Sequence, residues 1–419
     1  MHSYLPLWIV LTSLSCGLLI FFISESHSRL RTTLNLASAT FKLALVLVLL
    51  DGLGEGRSYV VEYELLPDLV LSLRADALSV LFLTLSAFLW LATTVYAVGY
   101  LEKGTGRSRF FGFFGLCVSA TAGISMAGNL FTMLLFYEAL TIATFPLVVH
   151  RGTREAVAAG RVYLAYTLTG GMLVLVATVW LHALLGSVDF VEAGFAPLRE
   201  LPQPVLIIAF FLLIMGFGVK AALFPLHGWL PRSMVAPAPV SALLHAVAVV
   251  KAGAFAIARV IYDLYGVEYA EQLGVLLPLS MLAGFTILYG SFRALNQREL
   301  KPRLAWSTVS QVSYIALGIA TFGPIASIGG IAHLVHQGLM KITLFFCAGN
   351  LAEVSGIHRV DQMAGCGRRM PWTMAAFTLA ALGMIGVPPL AGFVSKWYLA
   401  NGALAAEQQW VIVVLVGST

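Results

Sequence analysis

The sequence predicts an all-α, polytopic membrane protein. Three observations predict it. The first is composition: of 419 residues, 59% are hydrophobic and 11% charged, with a mean hydropathy of +0.89. A soluble domain carries about 25% charged residues. The second is that apolar runs of about 18–25 residues recur along the whole chain, each long enough to cross a bilayer as a helix. The third is the alternation of charge between the runs. Arg29, Arg31, Lys103, Arg107, Arg109, Arg151, Arg154, Arg161, Arg232, Arg293, Arg298, Lys301, Arg303, Arg359, Arg368 and Arg369 all fall in odd-to-even connections. The other connections hold only Arg57, Arg74, Arg199 and Arg259, and they collect acids such as Asp51, Glu62, Glu64, Asp68, Asp76, Asp189, Glu192, Asp263 and Glu271. Basic loops face the cytoplasm, so this map puts the N-terminus outside. The formal charge of +5 is then a topology signal and not a nucleic-acid footprint.

The runs follow in order. The first, 5–23, has no small-residue cleavage site leading into a polar domain, and is read as a retained helix and not a removed signal peptide. Runs 33–50, 77–100 and 110–127 come next, and 33–50 carries Lys42. Run 129–149 carries Glu138, and 162–186 carries no ionisable residue before His182 other than tyrosine. Run 204–226 contains most of "GFGVKAALFPLHGWLP", with Lys220 and then Pro225. Run 238–261 holds His245 and Lys251. Run 272–292 is apolar, and 304–322 has a polar side of Ser307, Ser310, Gln311 and Ser313. Run 325–351 carries His333, His336 and Lys341, and 373–399 carries Pro388, Pro389 and Lys396. A thirteenth run starts at Trp410, so about twelve and a half spans are seen.

Redox and nucleotide chemistry are absent from the motifs. Cys16, Cys117, Cys347 and Cys366 form no C-x-x-C pattern, which argues against iron–sulfur, haem or zinc sites. No Gly-rich dinucleotide motif or Walker loop occurs. No cofactor and no metal site is expected, and no redox or hydrolytic step in this chain. A place as one subunit of a redox-driven translocase stays open.

The charges inside the runs carry the functional signal. An ionisable residue within a membrane helix is costly and marks an ion path or a buried pair by default. Lys42, about eight residues into its run, is read as a lysine that snorkels to the near interface. Glu138 must pair or take a proton at mid-membrane, and Lys220 is its natural partner. A static pair would fix packing, whereas a pair that opens and closes would change how tightly the lysine holds its proton. His245 and Lys251 lie six residues apart and face different directions on an ideal helix, so a proton passing between them needs water or a local helix break. His333, Gln337 and Lys341 are spaced i, i+4, i+8 and share one stripe, with His336 beside it; histidine exchanges protons near neutral pH. The polar side of run 304–322 either lines the same path or is packing glue. Pro388 and Pro389 break the last full run before Lys396. Pro225 and the Pro388–Pro389 pair thus mark two lysine-bearing broken spans five spans apart. An odd offset reverses direction, so the two belong to an inverted repeat, a transporter signature with ion sites at the breaks. His227 lies toward the cytoplasmic end and serves the inlet or bonds to loop backbone.

"LLFYEALTI", "GFGVKAALFPLHGWLP", "APAPVSALLHAVAVVKAGAFAIARV", "HLVHQGLMKITLFFCAGN" and "GVPPLAGFVSKWYLA" together resemble the antiporter-like membrane subunits of respiratory complex I, Mrp-type cation/proton antiporters and energy-converting hydrogenases. The likeness covers roughly residues 75–419 and is greatest to the D-type member of the Mrp antiporters. It implies a fold of about fourteen helices with two inverted five-helix bundles, each holding a half-channel. Residues 1–108 would flank them, 109–262 would form the first repeat, and 263–419 the second, apparently cut short at "WVIVVLVGST". It implies that Glu138 and Lys220 are the ion pair of the first half-channel. Lys251 and His245 would connect it to the second, and His333, His336 and Lys341 would continue a central hydrophilic axis. Lys396 would be the terminal switch, its lysine form being the one used beside another antiporter-like subunit. The expected function is proton translocation in a multi-subunit complex of an energy-transducing membrane. Its partners would be other membrane subunits, protons and the lipid bilayer, and whether sodium is also carried stays open. Two other classes are a stand-alone secondary transporter and a non-pumping structural subunit.

Overall fold

A computed structural model describes residues 4–67, 69–101 and 104–419. Asp68 and Lys103, used above in the charge map, lie outside the described residues. The helices α1 (Leu5–Phe21) and α2 (Ser28–Gly54) form a hairpin, and α3 (Ala77–Tyr100), α4 (Arg107–Ser125), α5 (Leu130–Val148), α6 (Arg154–Leu185) and α7 (Gln203–Lys220) follow. A broken stretch contains the one-turn α8 (Trp229–Arg232) and α9 (Ala238–Ala242). After it come α10 (Val249–Arg259), α11 (Val267–Gln272), α12 (Leu276–Leu295), α13 (Leu300–Ala320) and α14 (Pro324–Ser355). The chain then runs through α15 (Cys366–Arg369), α16 (Pro371–Ile385), α17 (Ala391–Ala405) and α18 (Trp410–Gly417). Among the described residues, eight helical segments are long and apolar enough to cross a membrane. Helices α4 and α13 are of spanning length, 19 and 21 residues, but their Ser, Gly and Gln content lowers their hydropathy.

Local chemistry sets the boundaries. Asp76, Asn129 and Thr153 cap α3, α5 and α6, accepting from the amides of Ser79 (2.8 Å), Thr132 (2.8 Å) and Ala156 (3.1 Å), which satisfies amides that have no partner inside the helix. Proline opens α7, α14 and α16, where its missing N–H costs nothing. Small residues then let helices approach closely, as they do where lipid removes the hydrophobic drive for association. A Cβ on Gly170 of α6 would sit 2.8 Å from the Gly216 carbonyl of α7.

The structure departs from the sequence reading at two places, the β-hairpin and Lys42. The chain is not wholly helical: strands β1 (Tyr59–Leu66) and β2 (Leu69–Ala75) form an antiparallel hairpin between α2 and α3. Its inward side chains, Tyr59, Val61, Leu73 and Ala75, are buried and recur with the period of two that a half-buried strand requires. The run 373–399 is broken at the expected place, Pro388 and Pro389, into α16 and α17, parted at residues 386–390. Lys42 does not snorkel. It is fully buried, donates to Ser13 Oγ (2.9 Å) and the Val118 carbonyl (3.3 Å), and lies 5.5 Å from the Trp90 ring. Its partners come from α1 and α4, so a buried site is already built around it.

The segment Ala238–Tyr265 is the axis of the fold. Its most apolar 18-residue stretch is buried throughout, as expected of a helix that is hydrophobic all round.

Candidate functional site

Lys220 is the last residue of α7, where the helix gives way to Ala221–Leu223 and Pro225. Phe224–Pro225 and Pro388–Pro389 are cis peptide bonds, one at each helix break. The polar backbone freed at the first break finds partners: Trp229 Nε1 donates to the Val219 carbonyl (2.7 Å), and the Phe224 amide donates to Thr286 Oγ1 (3.1 Å). Non-helical backbone inside a membrane protein requires such partners or a water-lined cavity.

Glu138 and Lys220 face one another without touching. Among the described residues no ion pair within 4.0 Å joins them. Lys220 Nζ donates instead to the Tyr137 carbonyl and lies 3.3 Å from the Tyr137 ring centroid. Glu138 Oε1 is buried with no hydrogen-bond partner. Gly171 of α6 provides its space, since a Cβ there would collide with Oε1 and lie 2.6 Å from the carboxyl carbon.

Gly253 brings the next site alongside. A Cβ on it would lie 2.8 Å from both the Lys220 carbonyl carbon and the Phe217 carbonyl oxygen, so α10 packs directly on the end of α7. Lys251, fully buried, donates to the Leu334 carbonyl of α14 (2.6 Å). A local helix break, one of the two alternatives for a His245-to-Lys251 transfer, is present. Leu243–Val247 is a π turn, and Ala248 follows with φ −125° and ψ −77°. π turns are rare and concentrate at functional sites. His245 packs on Phe345 (4.6 Å), and neither of its ring nitrogens has a partner.

The stripe of α14 meets α13 and α17. His333 hydrogen-bonds through Nδ1 to Ser395 Oγ (2.8 Å) and through Nε2 to Gln311 Oε1 (3.1 Å). Lys341 donates to the Leu304 carbonyl (3.1 Å) and to Ser307 Oγ. Two of the four polar residues read on run 304–322 thus touch the α14 stripe. Gln337 is buried with both amide atoms unpartnered, and half-buried His336 has an unpartnered Nδ1. Lys396, next to Ser395, is partly exposed. It donates to the Ile385 carbonyl at the second break (2.9 Å) and lies 5.2 Å from the Tyr314 ring. Gly386 ends α16 at φ +94°, a left-handed conformation that glycine adopts without strain. His227 makes no loop-backbone bond through Nδ1. It lies among Phe224, Tyr289 and Trp306 at 5.2–5.6 Å.

Two features escape the sequence reading. One is a cavity of about 470 Å³ on the basic side, with the charged or titratable Arg151, Arg232, Lys301, His358, Glu299 and Glu353 among its mixed lining. Its walls come from five separate stretches of the chain, so no local motif marks it. The other is the environment of Arg259, which the sequence places with the loop charges of the acidic side. It is buried. Its guanidinium donates to both oxygens of Asp76 (2.6 and 2.9 Å), to Asp263 (2.7 Å) and to Ser79 (2.6 Å). Asp263, four residues on, was legible as a partner; Asp76 was not. Among the described residues, no group of three or more His, Cys, Asp or Glu side chains could hold a metal ion.

The family described as NADH:quinone oxidoreductase/Mrp antiporter, TM, matches residues 127–419, and that described as NADH-ubiquinone oxidoreductase (complex I), chain 5 N-terminus, matches residues 67–111. The chain is 38% identical over 357 residues to NADH-quinone oxidoreductase subunit N of Desulforudis audaxviator, covering 84% of this chain and 70% of that protein. It is 32% identical to hydrogenase-4 component B of Escherichia coli over 78% of its own length, and spans only half of that relative. Among solved structures it is similar to a chain of the Mrp complex from Dietzia sp., with a TM-score of 0.88 and 27% identity, over 99% of this chain and 77% of that one.

Proposed function

This chain belongs to the NADH:quinone oxidoreductase/Mrp antiporter family of membrane subunits, and from that premise we propose that it translocates protons as one subunit of a multi-subunit membrane complex. One observation carries the reading. Glu138, Lys220, His245, Lys251, His333, Lys341 and Lys396 form a row of ionisable groups through the middle of an apolar helical body, tied together by Gly253, Leu334 and Ser395. Buried polar atoms without protein partners recur along it, at Glu138, His245, His336 and Gln337. Such atoms are ordinarily satisfied by buried water, so the row suits a hydrated proton path.

In this mechanism protons enter from the basic side, for which the cavity beside Arg151 and Glu353 is the candidate inlet, and are held at Lys220 or Lys251. Closure of the Glu138–Lys220 gap tightens the hold of Lys220 on its proton, and opening loosens it. The work available is about 2.3 kcal/mol per charge per 100 mV. His333, His336 and Lys341 carry the charge onward, and Lys396 is the terminal switch, at a contact with a second antiporter-like subunit. The proposal keeps residues 109–262 and 263–419 as two inverted repeats, with 1–108 flanking them, and the N-terminus on the outer side. It takes the proton as the carried ion, because a sodium site wants several oxygen ligands and Glu138 is the lone mid-span acid.

The test uses the complex reconstituted in vesicles. Glu138→Ala or Lys220→Ala is expected to abolish driven proton uptake while the subunit still assembles. Transport that survived both substitutions would make the pair a packing feature.

A further inference from the structure

We propose that Phe82 and Phe255, backed by the Arg259 guanidinium, form a seal that stops protons held at Lys251 from leaking directly to the side bearing Asp76 and Asp263. Lys251, Phe255 and Arg259 are spaced i, i+4, i+8 within α10, so they lie on one stripe of the helix. A proton moving along that stripe from Lys251 meets the Phe255 ring first. Phe82 of α3 covers that ring, with centroids 4.9 Å apart and planes at 30°, and both side chains are fully buried. The Arg259 guanidinium lies 5.1 Å beyond the Phe255 ring. Past it, the side chains of Asp263 and Asp76 are 16% and 41% exposed and so border water.

The stripe is therefore a sequence of proton holder, aromatic plug, fixed cation and water-facing carboxylates. About 12 Å of helix separates the α-carbons of Lys251 and Arg259, a short gap for water to bridge. Two physical effects oppose leakage here. A closed aromatic constriction excludes water, and channels gate by such dewetting; a fixed arginine raises an electrostatic barrier to protons, as it does in water-selective pores. Arg259 is held in place by Asp76, Ser79 and Asp263 together, so its charge cannot swing out of the way. The arrangement makes transport vectorial: protons on Lys251 go onward along α14 and not straight out beside α3.

The inference rests on Lys251 holding protons, as in the proposed function, and the experiment separates the two. The intact complex is placed in vesicles without its energy source, and passive proton flux is driven by a potassium diffusion potential. The Phe82→Ala/Phe255→Ala pair is expected to raise this flux at least about tenfold. The Phe82→Leu/Phe255→Leu pair, which keeps the plug apolar and filled, is expected to leave it at the wild-type level. Adding Lys251→Ala to the alanine pair is expected to remove the extra flux. A wild-type leak from an assembled alanine pair overturns the seal, as does a leak that Lys251→Ala does not touch. If the alanine pair fails to assemble, Phe255→Val makes the smaller opening, and the same two outcomes decide. Driven transport that survives Lys251→Ala alone would instead overturn the role of Lys251 and leave the leak measurement to judge the plug.

Discussion

Gly171 shows how much one atom decides. The Glu138 carboxylate occupies the place where any side chain at 171 would begin. Gly171→Ala therefore displaces the carboxylate or forces α5 and α6 apart. Overpacking of this kind costs about 1–3 kcal/mol, which a large helical body tolerates. The expected outcome is an assembled subunit with driven proton uptake cut severalfold, while Ala at Gly54, which has nothing within 4 Å, leaves uptake unchanged. Equal effects at the two positions would remove Gly171 from the account. The placement of Glu138 and Lys220 inside the helical body was legible in the sequence, because charge inside an apolar run is conspicuous. The glycine was not, since its role lies in what it leaves room for. Lys42 teaches the reverse. Its sequence position fits a snorkelling lysine, yet Ser13 and Val118, distant in the chain, supply a buried site.

At the scale of elements, the hydrophobic runs located nearly every helix, and the stripe of α14 could be read from spacing alone. Three element-level features needed the structure. The hairpin of β1 and β2 carries a period-of-two signal in "YVVEYELL", but two short strands are easily passed over in a chain dominated by long apolar runs. The π turn at Leu243–Val247 has no proline or glycine within it to announce it. The third feature is the clasp of the α1–α2 connection on α4. Glu25 accepts from the amides of Ser108 (2.8 Å) and Arg107 (3.1 Å) at the start of α4 and lies 3.9 Å from Arg31. Burial works to raise its carboxyl, but these amides and Arg31 outweigh it and hold the group below its ordinary value. A carboxylate depressed in the folded state stabilises fully above its unfolded pKa and loses that contribution as pH falls through the folded one. Melting curves in detergent should show wild type losing stability on acidification through the carboxylate range, with Glu25→Gln less stable at neutral pH and less sensitive to acid. A parallel pH dependence in both proteins would count against the clasp.

At the scale of the whole molecule, Arg259 joins parts that the sequence keeps far apart. It binds Asp76, 183 residues away, at the entrance of α3, and Asp263 at the end of its own segment. Removing one partner of a buried charge pair costs about 3–5 kcal/mol, and the partly exposed Asp76 places this case at the lower end. Arg259→Gln should lower the unfolding midpoint, and Asp76→Asn combined with it should cost little more, because both remove the same contact. Fully additive losses would argue that the two residues act separately.

The axis segment Ala238–Tyr265 has one further consequence. Its most apolar 18-residue stretch is enclosed, and its polar side chains point in set directions: His245 toward Phe345, Lys251 toward Leu334, and Arg259 toward Asp76. A helix turns about 100° per residue. Losing one residue between Lys251 and Arg259 would rotate one end against the other by that amount and point a cation at a wall of hydrocarbon. Many side chains here could be exchanged for others of like volume, but the number of residues could not change. For this part of the chain, the quantity that the packing fixes is a count.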